Sequence, residues 1–226
     1  MLNAVIDISH HNQITSFDTA RQAGILGVIH KATQGATYAD PTFAANRTRI
    51  QDAGLLFGAY HFGTAGDPDA QAQRLLSVAG SDTLLVLDFE SNPQGASMTL
   101  DEAEQFVHHI YHATGRYPGL YSGATIKQAL TAAGITGPAQ TELSKCWLWL
   151  AQYATTPLLP KVWSNWTLWQ YTDGAAGNGP YEVPGVGRCD RDQFNGTAEQ
   201  LQAFWRAGQG TAVATPSATP APALVG

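Results

Sequence analysis

Two rhythms of apolar and polar residues alternate along this chain. Short runs rich in Val, Ile, Leu, Tyr, Phe and Trp have the length and composition of strands. They predict strands over 4–8, 27–31, 56–62, 84–90, 118–122, 147–151, 167–171 and 187–190, eight in all. Between the first six, the apolar spacing lengthens to the helical period. Ser16 can cap a helix holding Ala20 and Ala23, and Asp40-Pro41 can open a second that carries Phe43, Ala44, Arg47 and Ile50. Asp67-Pro68 repeats that device ahead of an Ala72, Leu75, Leu76, Ala79 stripe. Thr99 with Glu102 forms a capping box before Ala103, Phe106, Val107, Ile110 and Tyr111. Ala124 to Ala133 is a fifth helix, and Thr197 to Ala207 closes the domain with Leu201, Phe204 and Trp205 facing in.

Strand–helix alternation means parallel strands with right-handed crossovers, and eight strands suggest closure. The alternation fails late: 163–187 is aromatic, Gly-rich and Pro-rich, with no helical pattern. The expected fold is therefore an irregular (β/α) barrel of eight strands over residues 1–208, its helices missing or shortened in the C-terminal part. Residues 209–226, nearly all Gly, Ala, Thr, Pro and Ser, read as a flexible tail.

Bulk composition narrows the function. The 226 residues are 44% hydrophobic and only 13% charged, enough apolar content for a large core. Net charge is −6 with no run of Lys or Arg, which argues against nucleic acid or an anionic membrane surface as partner. No apolar run reaches the roughly 20 residues of a membrane span. The start, Met1 to Asp7, lacks the basic and long apolar segments of a signal peptide. If the protein acts outside the cytoplasm, another route is expected to deliver it. Cys146 and Cys189, placed on the sixth and eighth strands, are expected to be separate thiols, because alternate strands of a sheet lie too far apart for a disulfide.

The chemistry is in the acids. Leu84 to Glu90 runs an apolar strand into Asp88 and Glu90, which share a strand face. Neighbouring carboxyls repel, so one holds its proton more tightly, as general acid catalysis needs. Functional residues of such barrels gather at the C-terminal strand ends. Asp7 near the end of the first strand and Asp190 at the end of the eighth complete a four-acid ring at one mouth. Aromatic and polar side chains on the same rim, Tyr60, Phe62, Tyr121, Trp149 and Gln170, are candidate substrate-binding groups, sugars stacking on such rings. His10-His11 and His61 lack metal-ligand spacing and read as hydrogen-bonding residues. His108, His109 and His112 read as surface residues. No metal site or cofactor motif is found.

With these residues placed, the chain resembles the lysozymes of glycoside hydrolase family 25, the Chalaropsis-type muramidases. The resemblance runs from about Val5 to Trp205. It is carried by Ile6-Asp7-Ile8-Ser9-His10-His11-Asn12, Lys31-Ala32-Thr33-Gln34-Gly35, Gly58-Ala59-Tyr60-His61-Phe62 and Leu87-Asp88-Phe89-Glu90. Gly119-Leu120-Tyr121-Ser122, Trp149-Leu150-Ala151-Gln152-Tyr153, Trp169-Gln170-Tyr171 and Cys189 to Gly196 continue it. It implies cleavage of the β-1,4 bond between N-acetylmuramic acid and N-acetylglucosamine in peptidoglycan; the chain is expected to work as a monomer on glycan strands, with no cofactor. By position, Glu90 matches the general acid, Asp88 its partner, and Asp7 and Asp190 the remaining acids. Phe89 departs from the usual small aliphatic residue and is expected to point away from the barrel interior. Asp192 stands where Asn is common, leaving open which of Asp190 and Asp192 faces the site. A protein nucleophile and participation by the substrate's acetamide both remain open routes, the second being favoured. The competing readings are a non-catalytic glycan-binding module and a hydrolase of chitin-like polymers.

Overall fold

A computed structural model of the chain describes residues 1–209. Apart from Gln209, the expected tail lies outside the described residues. Eight strands close a barrel: β1 (Leu2–Ile8), β2 (Gly27–Gln34), β3 (Leu56–Phe62), β4 (Leu84–Asp88), β5 (Gly119–Ser122), β6 (Trp147–Ala151), β7 (Leu168–Thr172) and β8 (Asp190–Phe194). Going round, the order is β1-β8-β7-β6-β5-β4-β3-β2, and β1 pairs with β2 to close it. The short strand Tyr38–Ala39 extends β2 as a hairpin.

Six helices accompany the barrel among the described residues: α1 (Phe17–Gln22), α2 (Phe43–Asp52), α3 (Pro68–Ala79), α4 (Leu100–Thr114), α5 (Ala124–Ala132) and α6 (Ala198–Gly208). Ser16, Asp67 and Thr99 cap α1, α3 and α4 as expected, and Thr99 with Glu102 completes the capping box. The opening of α2 differs. Thr42 is its cap residue, while the Asp40 carboxylate accepts from the Thr42 and His10 backbone N–H groups.

Part of the expected irregularity, the helix-free link from β7 to β8, has a topological cause. β8 runs antiparallel to both β1 and β7. Parallel neighbours need a long crossover, whereas antiparallel neighbours do not. No α-helix lies between β6 and β8. The last strand was expected over 187–190. Instead Gly187–Arg188 pairs with Glu182–Val183 in a separate ribbon, and the barrel strand starts at Asp190. Cys146 and Cys189 lie just before β6 and β8 and are both buried free thiols, so they are separate but not strand residues.

The two faces of each strand build two cores. Val5, Ile29, Leu84, Val86, Tyr121, Trp149, Leu168 and Phe194 fill the barrel interior, with Leu201 and Trp205 of α6. Trp205 is fully buried and donates from its indole nitrogen to the Phe57 carbonyl at 2.8 Å. The alternate residues, Ile6, Ile8, Val28, Leu85, Leu87, Phe89, Leu120, Leu148 and Leu150, pack outward against the helices. Phe89 thus points away from the interior, as its parity with Leu85 and Leu87 requires.

Candidate active site

Parity fixes which side chains meet inside the barrel. Asp7 follows Val5, Asp88 follows Val86, Gln170 follows Leu168, and Asp190 and Asp192 precede Phe194, each two residues from a member of the interior core or from one another. One pocket of about 230 Å³ at the rim is lined by Asp7, Tyr60, Phe62, Asp88, Glu90, Tyr121, Trp149, Gln170 and Asp190. All nine residues expected from the sequence therefore line the same cavity.

Two of them arrive by a different route from the one expected. β4 ends at Asp88, and Glu90 lies two residues beyond it. The chain stays in line there because the Phe89 N–H donates to the Tyr121 carbonyl and the Ser122 hydroxyl donates to the Phe89 carbonyl, at 2.9 and 2.6 Å. Asp190 begins β8 rather than ending a strand. Because β8 is reversed, its start lies at the rim where its neighbour β1 ends, and Asp190 pairs with Asp7.

A hydrogen-bond chain orders the floor. Tyr121 and Tyr153 donate their hydroxyls to Gln170 Oε1, at 2.8 and 2.9 Å. The Gln170 amide is thereby oriented, and its Nε2 donates to Asp7 Oδ2 at 2.8 Å. Trp149 is 1% exposed, packs edge-on to Tyr121 at 4.7 Å between ring centroids, and donates from Nε1 to Asp192 Oδ1 at 2.7 Å. It is a floor residue rather than an open stacking platform.

Crowding and burial set the electrostatics. Burial first, then Asp190 and Asp192, push the Asp7 carboxyl far above the ordinary aspartate range, against the Gln170 hydrogen bond. Burial and then Glu90 do the same to Asp88, opposed by the Lys31 ammonium. Glu90, less buried, is raised by desolvation. Asp190 is raised to about 6 by burial, helped by Asp173 and Glu90 and opposed by a backbone N–H. Buried together at one rim, these carboxyls oppose one another's ionisation. Asp88 Oδ1 is buried without a protein donor. The Tyr60 and Tyr121 phenols are held protonated by burial, with the acids adding to it.

A wider groove of about 570 Å³ adjoins at Phe62 and is lined by His10, His11, Lys31, Gln34, Tyr38 and Asn92 among others. His10 bonds Asp40 at 2.8 Å, and His61, wholly buried outside the barrel, bonds Thr33 and Gln71. Both are hydrogen-bonding histidines, as expected. Lys31 and Tyr153 border the site without having been among the expected site residues, and of the two acids left open Asp190 lines the pocket while Asp192 is buried against Trp149. Lys31 shares the parity of Ile29 and Asp192 that of Asp190, a signal present in the sequence.

A closed (β/α) barrel with a ring of proton-holding carboxyls and aromatic side chains at one rim is the architecture of a glycoside hydrolase. Residues 6–179 match Glycosyl hydrolases family 25, and the chain belongs to that family of lysozymes and muramidases. It is 33% identical over 216 residues to Lysozyme M1 of Streptomyces globisporus, covering 88% of this chain and 70% of that one. It is 32% identical to the N,O-diacetylmuramidase of Chalaropsis over 193 residues, 76% of this chain and 89% of that one. The crystal structure of the bacterial lysozyme from Streptomyces coelicolor superposes with a TM-score of 0.77 at 29% identity, covering 92% of this chain and 98% of that one.

Proposed function

We propose that this chain is a muramidase that cleaves the β-1,4 bond between N-acetylmuramic acid and N-acetylglucosamine, with Glu90 as the acid that protonates the leaving oxygen and Asp88 as its partner. The observation that carries this reading is the unequal pair at the end of β4. Asp88 is 6% exposed, with one oxygen lacking any donor, while Glu90 is more open to the same pocket. A buried acceptor without a donor suits the N–H of a substrate acetamide. The more accessible, proton-holding Glu90 suits the glycosidic oxygen. In this route the acetamide oxygen attacks the anomeric carbon as Glu90 gives its proton to the departing sugar. Glu90 then takes a proton from water, which opens the cyclic intermediate. Asp7 and Asp190 form the opposite wall, and Tyr60, Phe62, Tyr121, Trp149 and Gln170 bound the sugar. The adjoining groove gives a polymeric glycan a path beyond the pocket.

The test is clearing of purified peptidoglycan by wild type and by Glu90→Gln. The reading requires wild type to clear and Glu90→Gln to lose at least about 10²-fold while still binding walls. Binding without clearing by wild type would mark a glycan-binding module, and a near-wild-type rate for Glu90→Gln would remove Glu90 from its role. Asp88→Asn should lose comparable activity. Efficient hydrolysis of a substrate lacking the acetamide would favour a protein nucleophile. Released muramic acid reducing ends distinguish this activity from that of a chitin-type hydrolase.

A further inference from the structure

The pocket and the groove that meet at Phe62 are lined by opposite charges. Asp7, Asp88, Glu90 and Asp190 line the pocket, and among the described residues no Lys or Arg does. The groove, among the described residues, is lined by no Asp or Glu, and Lys31 is its one Lys or Arg. Lys31 is half-buried on β2, with the ring centroids of Tyr38 and Phe62 at 5.8 and 5.1 Å from its ammonium. It donates to Gln34 Oε1 at 2.7 Å. Among the described residues no carboxylate forms an ion pair with it. In register, Gln34 on β2 pairs with Phe62 on β3, and Phe62 with Asp88 on β4, so the nearest acid strand is two strands away, about 10 Å. An ammonium drawn out of water against two rings and one neutral amide keeps donors to spare. Burial presses it towards its neutral form, with Asp88 and Asp40 opposing. The same bond orients Gln34. An ammonium only donates, so Oε1 faces it and the Nε2 end is left for another acceptor. Lys31 and Gln34 thus offer the groove an ammonium N–H and an amide N–H, a donor set suited to a carboxylate.

Resting on the muramidase reading of the pocket, we infer that Lys31 and Gln34 receive a carboxylate carried on O3 of the substrate's muramic residue, and that Lys31 is a specificity-determining residue that separates muramic acid from N-acetylglucosamine. The two sugars share the acetamide, so Asp88 cannot tell them apart. They differ at O3, where muramic acid carries a lactyl ether. That ether ends in a carboxyl group, either free or linked to a peptide with carboxylates of its own. In the proposed reaction the anomeric carbon lies at Glu90 and the acetamide on the next ring carbon lies at Asp88. The carbon bearing O3 follows directly. The ring thus continues the line from Glu90 through Asp88 towards Phe62, and Lys31 lies over the far side of that residue's strand. The groove, about 570 Å³ against about 230 Å³ for the pocket, has room for the substituent beside the glycan. A chitin-like chain has only a hydroxyl at O3 and would leave the ammonium without a counter-charge.

The probe is the disaccharide N-acetylglucosaminyl-β-1,4-N-acetylmuramic acid, which lacks the susceptible bond and can be titrated into wild-type protein by NMR. It is compared with its lactyl methylamide, the same shape without the charge. A second pair is the disaccharide carrying a peptide, with its carboxyls free or methylamidated. In at least one pair the carboxylate form should bind wild type about tenfold or more tightly than the amide. A preference within the first pair assigns the site to the lactyl carboxylate, and one within the second pair alone assigns it to a carboxylate of the peptide. Lys31→Met keeps an apolar stem beside Phe62 and removes the charge, and should erase the preference by weakening the carboxylate form alone. Lys31→Arg should retain most of it. No binding, or no preference for carboxylate in either pair with wild type, would overturn the inference even if Lys31→Met does not fold. So would a Lys31→Met that weakens charged and neutral ligands alike, the result expected if Lys31 serves only Asp88 or the fold. Failure of wild type to clear walls, or a near-wild-type rate for Glu90→Gln, would strike the muramidase reading and leave the binding comparison as a separate result.

Discussion

Replacing Asp190 by Asn should make the protein more stable at neutral pH while weakening its activity. The Asp190 carboxyl is raised from 3.8 to about 6, chiefly by burial. A group raised on folding adds stability at pH values below its unfolded pKa, and that contribution is lost as pH rises through the folded value. Above about 6, therefore, the ionised Asp190 is a net burden on the fold. The full displacement corresponds to about 3 kcal/mol, and screening at this partly exposed rim position leaves about 1–2 kcal/mol. Asn keeps the shape and the oxygen that accepts the backbone N–H but carries no charge. Urea denaturation at pH 7.5 should show Asp190→Asn more stable by about 1–2 kcal/mol, or about 3–6 °C in Tm. At pH 3, where the wild-type carboxyl is mostly protonated in both states, the advantage should all but vanish. The m-value should not change, since the exposed surface is the same. An advantage independent of pH, or a variant less stable at pH 7.5, would refute the reasoning. Falling wall-clearing activity alongside rising stability would show that the charge is retained for function at the expense of the fold.

Three further outcomes follow from the structure. His61 is buried, receives the Thr33 hydroxyl, donates to Gln71, and is lowered to about 4 by burial. Its ring should stay neutral in ¹⁵N spectra down to about pH 4, and up to about 3 kcal/mol of stability should drain away between pH 6.5 and 4; titration near 6.5 would contradict this. Trp205→Ala removes the fully buried plug of the barrel floor and leaves the Phe57 carbonyl short of a donor, at a cost of about 3–5 kcal/mol in chemical denaturation. Gly119→Ala would drive a methyl into the Trp147 indole, and should lower stability by about 1–3 kcal/mol with the spectrum of Trp147 altered; a neutral effect would mean that the indole moves freely.

Side-chain parity made much of the site legible in the sequence. Val5 and Asp7, Val86 and Asp88, and Leu168 and Gln170 follow the two-residue period from core to rim, so an apolar strand announces which polar residue ends inside it. Helix caps such as Ser16, Asp67 and Thr99 were equally plain, because their hydrogen bonds are local. Strand direction was not legible, since alternation reads the same both ways. The last strand was accordingly placed over 187–190 and given the wrong end. Nor was depth. Asp190 and Asp192 share a face, and only the reversed register of β8 puts one at the rim and the other beneath it. The chain from Tyr121 and Tyr153 through Gln170 to Asp7 joins residues more than 100 positions apart, and its order depends on barrel closure rather than on any local pattern.

The reversed strand is also what makes the site possible. A parallel β8 entering the barrel with Asp190 first would put that acid at the floor and Phe194 at the mouth. Running antiparallel, the same residues place Asp190 opposite Asp7 at the rim and Phe194 in the interior core with Trp205. The reversal removes the need for a crossover helix after β7, so the connection from β7 to β8 is free of one. Tyr153, in the helix-free segment after β6, reaches back to Gln170 from there. One change of direction thus accounts for a fourth acid at the rim, a fifth buried behind it, and the helix-free link from β7 to β8. A strand-8 sequence that kept its composition but exchanged Asp190 and Phe194 should close the barrel poorly, because it would bury a carboxyl against Trp205 and leave Asp7 facing a phenyl ring.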